Sequence, residues 1–584
     1  MKKVVIIMPR IPYGIGSFER IRNKDEDYIY IDKTQFIEQL EEMNFLIHLR
    51  PRRFGKSLFI GMLESYYDIL SADRFDDLFG GLYIHDHPTI NRNSYYMLRF
   101  NFSGIATKDF DTIMEGFLTK VRSGISLFIN KYKLDIQIPN SKSPSVVLHT
   151  LLTEFENLGL EHKVYILIDE YDHFTNAVLN IGLDGFMTLV ARGGVVRSFY
   201  EVIKEKAEKN VIDRLFITGV MSVSLDSMTS GFNIATNITT DAEFADIMGF
   251  TANEVQKLLA TPKLGSPKKA VELTITEKEQ VYEIWRQNYN GYLFSAESST
   301  KVFNSTLIMY YLQHYLPKKK LLEEIVDPNL NQSGRTISGI VEVKNSFANY
   351  EIIEEIVKHK YVNAKLSTFI DIDKKFDKND FITLLFNIGF LTIKESGMLT
   401  KFEMPNKIIE EIYFGYMREL AAIRYNYQID VRDQERAILE MGEKGKIDAI
   451  THLVVDFLEH ISGRNAIKFD EQDIKLTYLK FLFPTDQFFV FDEFPIKKGY
   501  TDLTILKSAT SYSKYEFLIE LKHIKKGKKA ETIETQVAEK FVDGVEQIAR
   551  YMEDKRMHGR PDLKKFVVVF AGFDIAKLEE IECL

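Results

Sequence analysis

The chain runs to 584 residues, 45% hydrophobic and 27% charged, a balance that suits packed globular cores and a length that predicts about four domains at roughly 150 residues each. A net charge of −9 argues against nucleic-acid binding through bulk charge and leaves that role to a local basic patch. The single cysteine, Cys583, rules out an intrachain disulfide and a cysteine metal cluster, and no apolar run reaches the roughly 18 residues a membrane helix needs. Near the start, the apolar run of five residues ends at Pro9, short of a signal peptide, so a cytoplasmic chain with no membrane partner is expected.

Ile11-Pro-Tyr-Gly-Ile-Gly16 reads as a loop, and Tyr28-Ile-Tyr-Ile-Asp-Lys-Thr34 leads into a helical stretch to Met43. Next, the apolar run Phe45-Leu-Ile-His-Leu49 meets a loop ending in Gly55-Lys56-Ser57, and a helical pattern follows from Leu58 to Tyr67. Strand, loop and helix in that order form a phosphate-binding loop: the Lys56 ammonium reaches β- and γ-phosphates, the Ser57 hydroxyl ligates Mg²⁺, and helix-start N–H groups cradle oxyanions. The general template asks for glycine five residues before Gly55, where this chain has Arg50.

"YIYIDKTQFIEQL" followed by "LIHLRPRRFGKS" resembles the start of the bacterial AAA-ATPase-like family, whose members often end in a PD-(D/E)XK nuclease-like domain. In that family the Arg-Pro-Arg-Arg-Phe-Gly-Lys run replaces the usual loop. The resemblance implies an ATP and Mg²⁺ protein that binds nucleotide through Arg52, Arg53, Phe54, Gly55, Lys56, Ser57 and Leu58. Arg52 and Arg53 either stabilise transferred charge beside the phosphates or form a solvated or acid-paired turn.

Tyr95–Ser103 alternates like a strand, and helical patterns fill 109–134 and 144–158. Val164-Tyr-Ile-Leu-Ile-Asp-Glu-Tyr-Asp172 is a buried-strand pattern ending in two carboxylates, a Walker B in which Asp169 holds Mg²⁺ through water and Glu170 polarises the attacking water. A helix at Val195–Lys209 precedes the strand Arg214–Val220. The alternation predicts a parallel sheet with its ligand at the strand C-termini. Thr218 reads either as a γ-phosphate sensor or as a strand-ending threonine, and Arg192 and Arg197 either as charge-stabilising fingers or as solvated helix residues. The resemblance continues through Gly249-Phe-Thr251, Tyr289-Asn-Gly-Tyr292 and Val302-Phe-Asn-Ser-Thr306. The second of these reads as a turn closing a helical lid, and Leu316–Leu321 as a surface connection.

Helices at Tyr350–Lys358 and Asn379–Ile388, a hairpin at 390–404 and a helix from Asn406 suggest a winged-helix-like module, more in keeping with packing or regulation than with reading DNA. Three strands follow, at Phe488–Pro495, Gly499–Leu506 and Tyr515–His523, and seventeen residues separate Asp502 from Glu520-Leu-Lys522. Residues i and i+2 of a strand share a face, so Glu520 and Lys522 point together, and Asp502 brings a second carboxylate for Mg²⁺. Resemblance to the nuclease-like family adds Glu471 as a further metal carboxylate, with Asp473 and Glu493 as competitors, and Gln547 and Tyr551 as auxiliary residues on a helix over Val537–Met552. Lys522, Lys525, Lys526, Lys528 and Lys529 form a basic stretch suited to a phosphate backbone, or simply a solvated hairpin edge.

The expectation is therefore an α/β protein in four parts: a P-loop ATPase core (1–250), a helical lid (251–345), a winged-helix-like or helical linker module (346–435) and a restriction-endonuclease-like domain (436–584). It would hydrolyse ATP and cleave DNA or RNA, with homo-oligomerisation left open. The alternative is a nucleotide-controlled switch whose C-terminal domain only binds nucleic acid or protein.

Overall fold

A computed structural model describes residues 10–106, 108–172, 194–221, 234–262, 264–265, 272–318, 337, 341, 346–367, 376–425, 427, 430–465, 470–482, 487–492, 494–496, 499–507, 511–525 and 530–582. The opening apolar run, Arg192, Glu493, Lys526, Lys528, Lys529 and Cys583 lie outside the described residues, as do 319–321 of the expected surface connection. Two compact units emerge: Met1–Lys319 with Gly339–Ile352 and Tyr361–Lys407, and Lys320–Ser338 with Ile353–Lys360 and Ile408–Leu584.

The first unit is built on strands β1 (Phe45–Leu49), β2 (Tyr95–Asn101), β3 (Lys163–Asp169), β4 (Ile212–Gly219) and β5 (Thr236–Asn237), all parallel, in the order β2-β3-β4-β1-β5. Both faces are covered, so β3 is buried from Val164 to Asp169 and reads as a continuous apolar run rather than an alternating one. Helices α1 (Lys56–Tyr67), α2 (Phe110–Tyr132), α3 (Pro144–Asn157) and α4 (Val195–Glu208) supply the cover. The parallel order places β4 between the strand that feeds the phosphate loop and the strand that ends in Asp169, so the motifs meet across it. The helix expected to reach Met43 is shorter, spanning Phe36–Leu40.

Beyond the sheet come α5 (Ala252–Ala260), α6 (Ile275–Asn288) and α7 (Ser305–Tyr315), with the short antiparallel pair β6 (Phe250–Thr251) and β7 (Val302–Phe303). Thr251 with Glu254 and Thr274 with Glu277 close reciprocal capping boxes on α5 and α6. Strands β8 (Tyr361–Ala364), β9 (Thr392–Glu395) and β10 (Thr400–Glu403) form an antiparallel sheet in the order β8-β10-β9, preceded by α8 (Lys378–Asn387) between β8 and the hairpin. The residues of this sheet belong to the same compact unit as the parallel sheet, and β8 is a strand the periodicity did not suggest.

The second unit holds a mixed sheet. The run expected as one strand from Phe488 to Pro495 divides into β11 (Phe488–Phe491) and β12 (Pro495–Ile496), and the next into β13 (Gly499–Tyr500) and β14 (Leu503–Lys507). The division has a local cause: the Thr501 N–H donates to the Phe494 carbonyl at 3.1 Å, and the Thr501 and Thr504 hydroxyls bond each other at 2.7 Å, turning the chain at Asp502. With helix α9 (Glu471–Leu482), β15 (Glu516–Ile524), helix α10 (Ala530–Met552), β16 (Leu563–Ala571) and β17 (Asp574–Glu580), the sheet order is β11-β14-β15-β16-β17, antiparallel except for β15 with β16. Leu518, Ile548, Val567 and Val569 are core residues where α10 lies on β15 and β16.

Arg50 anchors the end of β1. Its guanidinium is 1% exposed, donates to the Leu49, Thr239, Phe244 and Ala245 carbonyls at 2.7–3.3 Å, and lies 4.2 Å from the Phe294 ring centroid. Burial pulls it down to about 9, with Asp246 opposing. Replacing it by methionine would strand several buried carbonyls, each costing about 1–3 kcal/mol. Arg50→Met is expected to lower the stability of this unit by about 3 kcal/mol, read as a lower urea midpoint. An unchanged midpoint would show that the carbonyls find other donors.

Candidate functional site

Gly55, at φ 94°, occupies the left-handed region and caps α1, so the chain turns from the loop straight into a helix that begins at Lys56. Arg53 at φ 70° and Glu170 at φ 52° adopt the same region with side chains that disfavour it, a local cost of about 1–3 kcal/mol each that the surrounding structure must hold. Lys56 is buried, and its ammonium donates to the Arg50 and Pro51 carbonyls, both at 2.9 Å. Burial pulls it down to about 8, while Asp172, Asp169 and Glu170 pull it back. Thus the Walker lysine and the strand-end carboxylates act on one another, as the two motifs require.

Asp169 is fully buried and neither oxygen makes a hydrogen bond of normal geometry. Arg99 stands 3.6 Å away on one side, and the Ser57 hydroxyl faces the carboxylate. Burial pushes its carboxyl up, against the Ser57 hydroxyl, Arg99 and Lys56. Asp172, at the end of the same motif, accepts from the Val220 and Met221 amides at 2.8–3.1 Å and so fixes the chain leaving β4. Thr218 lies opposite His48 in the β1–β4 register and donates its hydroxyl to the His48 carbonyl at 2.8 Å. Arg197 is paired with Glu201 at 2.9 Å along α4.

A cavity of about 550 Å³ opens over the loop, lined by Arg52, Arg53, Phe54, Gly55, Lys56, Ser57, Leu58 and Glu170. The other walls come from segments whose part in it sequence reasoning missed: Pro12–Gly16, Ile29–Ile31, Ile247–Phe250 and the start of α7 at Ser305, Thr306 and Met309. The two glycines in Ile11–Gly16 were the only local signal there. Residues that follow the sheet are bonded directly to the loop: Ser305 Oγ and the Thr306 amide donate to the Arg53 carbonyl at 3.3 and 3.2 Å, and the Gly249 amide donates to the Phe54 carbonyl at 3.1 Å. Phe54 meets Tyr292 and Phe294 edge-on at 5.0 and 5.5 Å, so these two rings brace the loop through aromatic packing.

In the second unit, Glu520 is 1% exposed and Lys522 Nζ bridges Glu520 Oε1 at 2.6 Å and Gln547 Oε1 at 2.8 Å. Asp502 reaches the same strand by accepting the Leu521 amide at 3.0 Å. Glu520 Oε2 makes no hydrogen bond of normal geometry, although the Tyr551 hydroxyl faces the carboxylate. Burial and Asp502 push Glu520 up to about 8, with Lys522 and Tyr551 opposing. Glu471, at the start of α9, is pushed up by burial and by Asp502, which puts it in the same electrostatic neighbourhood. Asp473 is instead bonded to Lys358 at 2.9 and 3.0 Å. Gln547 and Tyr551 can approach because Gly544 has no side chain: a Cβ there would lie 2.6 Å from Val567 Cγ1 and 3.6 Å from Glu520 Cγ. Lys525 is exposed.

The donor set suits a hard divalent ion at both places: buried carboxylate oxygens left without hydrogen bonds, beside a hydroxyl or a second carboxylate. Among the described residues no three acidic, histidine or cysteine groups form a cage by themselves, so an ion would complete its shell with water and phosphate oxygens, as Mg²⁺ does. No helix among the described residues is long and apolar enough to cross a membrane.

Fold and sites together define a phosphate-loop α/β domain joined to a mixed-sheet domain with a carboxylate–lysine centre. Residues 12–229 match the family model described as predicted AAA-ATPase, and residues 469–580 match that of the PD-(D/E)XK nuclease superfamily. The chain thus carries an AAA-ATPase-like domain and a C-terminal PD-(D/E)XK nuclease-superfamily domain. An Azotobacter chroococcum mcd 1 protein described as "Uncharacterized protein in vnfD 5'region" is 29% identical over 309 residues, which span 53% of this chain and 53% of that protein.

The elevated Glu520 value has a definite thermodynamic sign. A carboxyl raised from 4.5 to about 8 contributes its full stability only below the unfolded value, and that contribution is lost as pH climbs through the folded one. Glu520→Gln is expected to flatten this decline and to raise stability at about pH 8.5 by about 1–3 kcal/mol relative to the parent, with little gain at about pH 5. Denaturant unfolding of both proteins at the two pH values checks it.

Proposed function

We propose that the protein is a Mg²⁺-dependent ATPase coupled to a metal-dependent nuclease acting on DNA or RNA. The observation that supports this most is the single cavity shared by Gly55–Leu58 and Glu170, with buried Asp169 behind it. In this reading Lys56 exchanges the Arg50 and Pro51 carbonyls for β- and γ-phosphate oxygens, and Glu170 takes the proton of the attacking water. Ser57 and Asp169 would hold the ion of the ATPase site, and Asp502 and Glu520 that of the nuclease site, with Glu471 contributing through its water shell. When bound, such an ion neutralises phosphate charge and lowers the pKa of water. Lys522, tethered by Gln547, orients the water and offsets charge on the phosphodiester, while Tyr551 fixes Glu520. The domain limits 1–250, 251–345, 346–435 and 436–584 belong to the same proposal.

ATP turnover with Mg²⁺ is expected to fall by about 10²–10⁴ in Glu170→Gln with nucleotide binding retained, and Lys56→Ala is expected to lose binding as well. Single- and double-stranded DNA and RNA, each offered with and without ATP and Mg²⁺, should be cut by the parent and not by Asp502→Asn or Glu520→Gln. Tight nucleotide binding with no turnover and no cleavage of any polymer would replace this reading with the switch.

A further inference from the structure

On the face of the parallel sheet beside α2, a second cavity of about 450 Å³ opens between β2, α1 and α2. Three cations line it, Arg99 from the edge strand β2 and Lys120 and Lys131 from α2, against one carboxylate, Glu64 of α1. Arg99 and Lys131 both hold Glu64, at 3.1 and 3.0 Å, and Lys131 also reaches Asp68 at 2.7 Å. Lys120 makes no hydrogen bond or ion pair among the described residues, so of the three cations it alone is left to meet an incoming anion, while Arg99 and Lys131 are shared among Glu64, Asp68 and Asp169. Asn101, Ser103 and Ser123 add neutral hydrogen-bonding groups, and Met97 and Phe128 give low-dielectric walls that concentrate the field. The same guanidinium that borders this cavity stands 3.6 Å from Asp169.

We infer that this cavity is a second anion site, taking a phosphate-class ligand between Arg99, Lys120 and the Ser123 hydroxyl, one guanidinium away from the carboxylate of the nucleotide site. A planar guanidinium fork and a flexible ammonium are the pair that phosphoryl oxygens select. The volume admits a small phosphorylated molecule.

The probe is pyrophosphate, titrated calorimetrically into the metal-free full chain. Pyrophosphate also fits the Lys56 loop, so the measurement is made in Lys56→Ala, where one equivalent of binding is expected to remain. Adding Lys120→Gln or Arg99→Gln is expected to weaken that binding at least tenfold, and adding the exposed-charge control Lys142→Gln to leave it unchanged. Because Lys120 is unpaired, its variant preserves the fold even where Arg99→Gln does not, and unfolding midpoints verify this. No binding in Lys56→Ala overturns the site, as does an equal loss in the Lys120 and Lys142 variants.

Discussion

Burying a charge without satisfying it is the constraint on which both units depend. Moving a carboxylate out of water costs several kcal/mol even after relaxation, and the usual remedy is a full set of donors. Asp169 and Glu520 are both buried to within 1% and both keep oxygens without hydrogen bonds of normal geometry. Asp169 ends the apolar strand β3 and Glu520 sits mid-strand in β15 between Ile519 and Leu521, where the sheet supplies packing but few donors. The nearest cations moderate the penalty without removing it: Arg99 lies at 3.6 Å from Asp169, and Lys522 satisfies only one oxygen of Glu520. An arrangement like this persists only if the rest of the fold is stable enough to carry it, and carboxyls pushed up by burial beside specific charges are where functional chemistry is found.

Much of that carrying is done by polar backbone and aromatic contacts. Arg50 gathers carbonyls from β1 and from residues 239–245 into one fork, and Phe54 wedges between Tyr292 and Phe294. The phosphate loop is therefore held from behind by a guanidinium and from above by the amides of Gly249 and Thr306. An arginine at the position where the general template has glycine gives up backbone freedom and gains a rigid anchor.

Elements whose signal is local were legible in the sequence. The run from Phe45 to Ser57 and the run from Val164 to Asp172 announce strand, turn and carboxylates within a few residues, and the structure has those strands and that helix. That Glu520 and Lys522 share a face follows from the two-residue period, whereas their pairing with Asp502 is suggested by spacing and family resemblance. What stayed hidden depends on contacts between distant residues: the carbonyl clamp on Arg50 joins positions nearly 200 apart, and Ser305 reaches the loop across 252 residues. The break at Asp502 also escaped periodicity, since it is set by the bond between the Thr501 and Thr504 hydroxyls, although Gly499 and Asp502 are poor strand formers. Gly544 gave no sign of its role, because what it permits is the approach of α10 to β16 rather than a turn.

The ammonium of Lys56 already has two carbonyl acceptors of its own, from Arg50 and Pro51. Any molecule entering the neighbouring cavity must outbid those acceptors before it touches the lysine. A neutral group offers the ammonium no charge in exchange, whereas an anionic oxygen does. The loop thus keeps its own lysine latched to the backbone, and only a charged oxygen that competes with two carbonyls can release the latch.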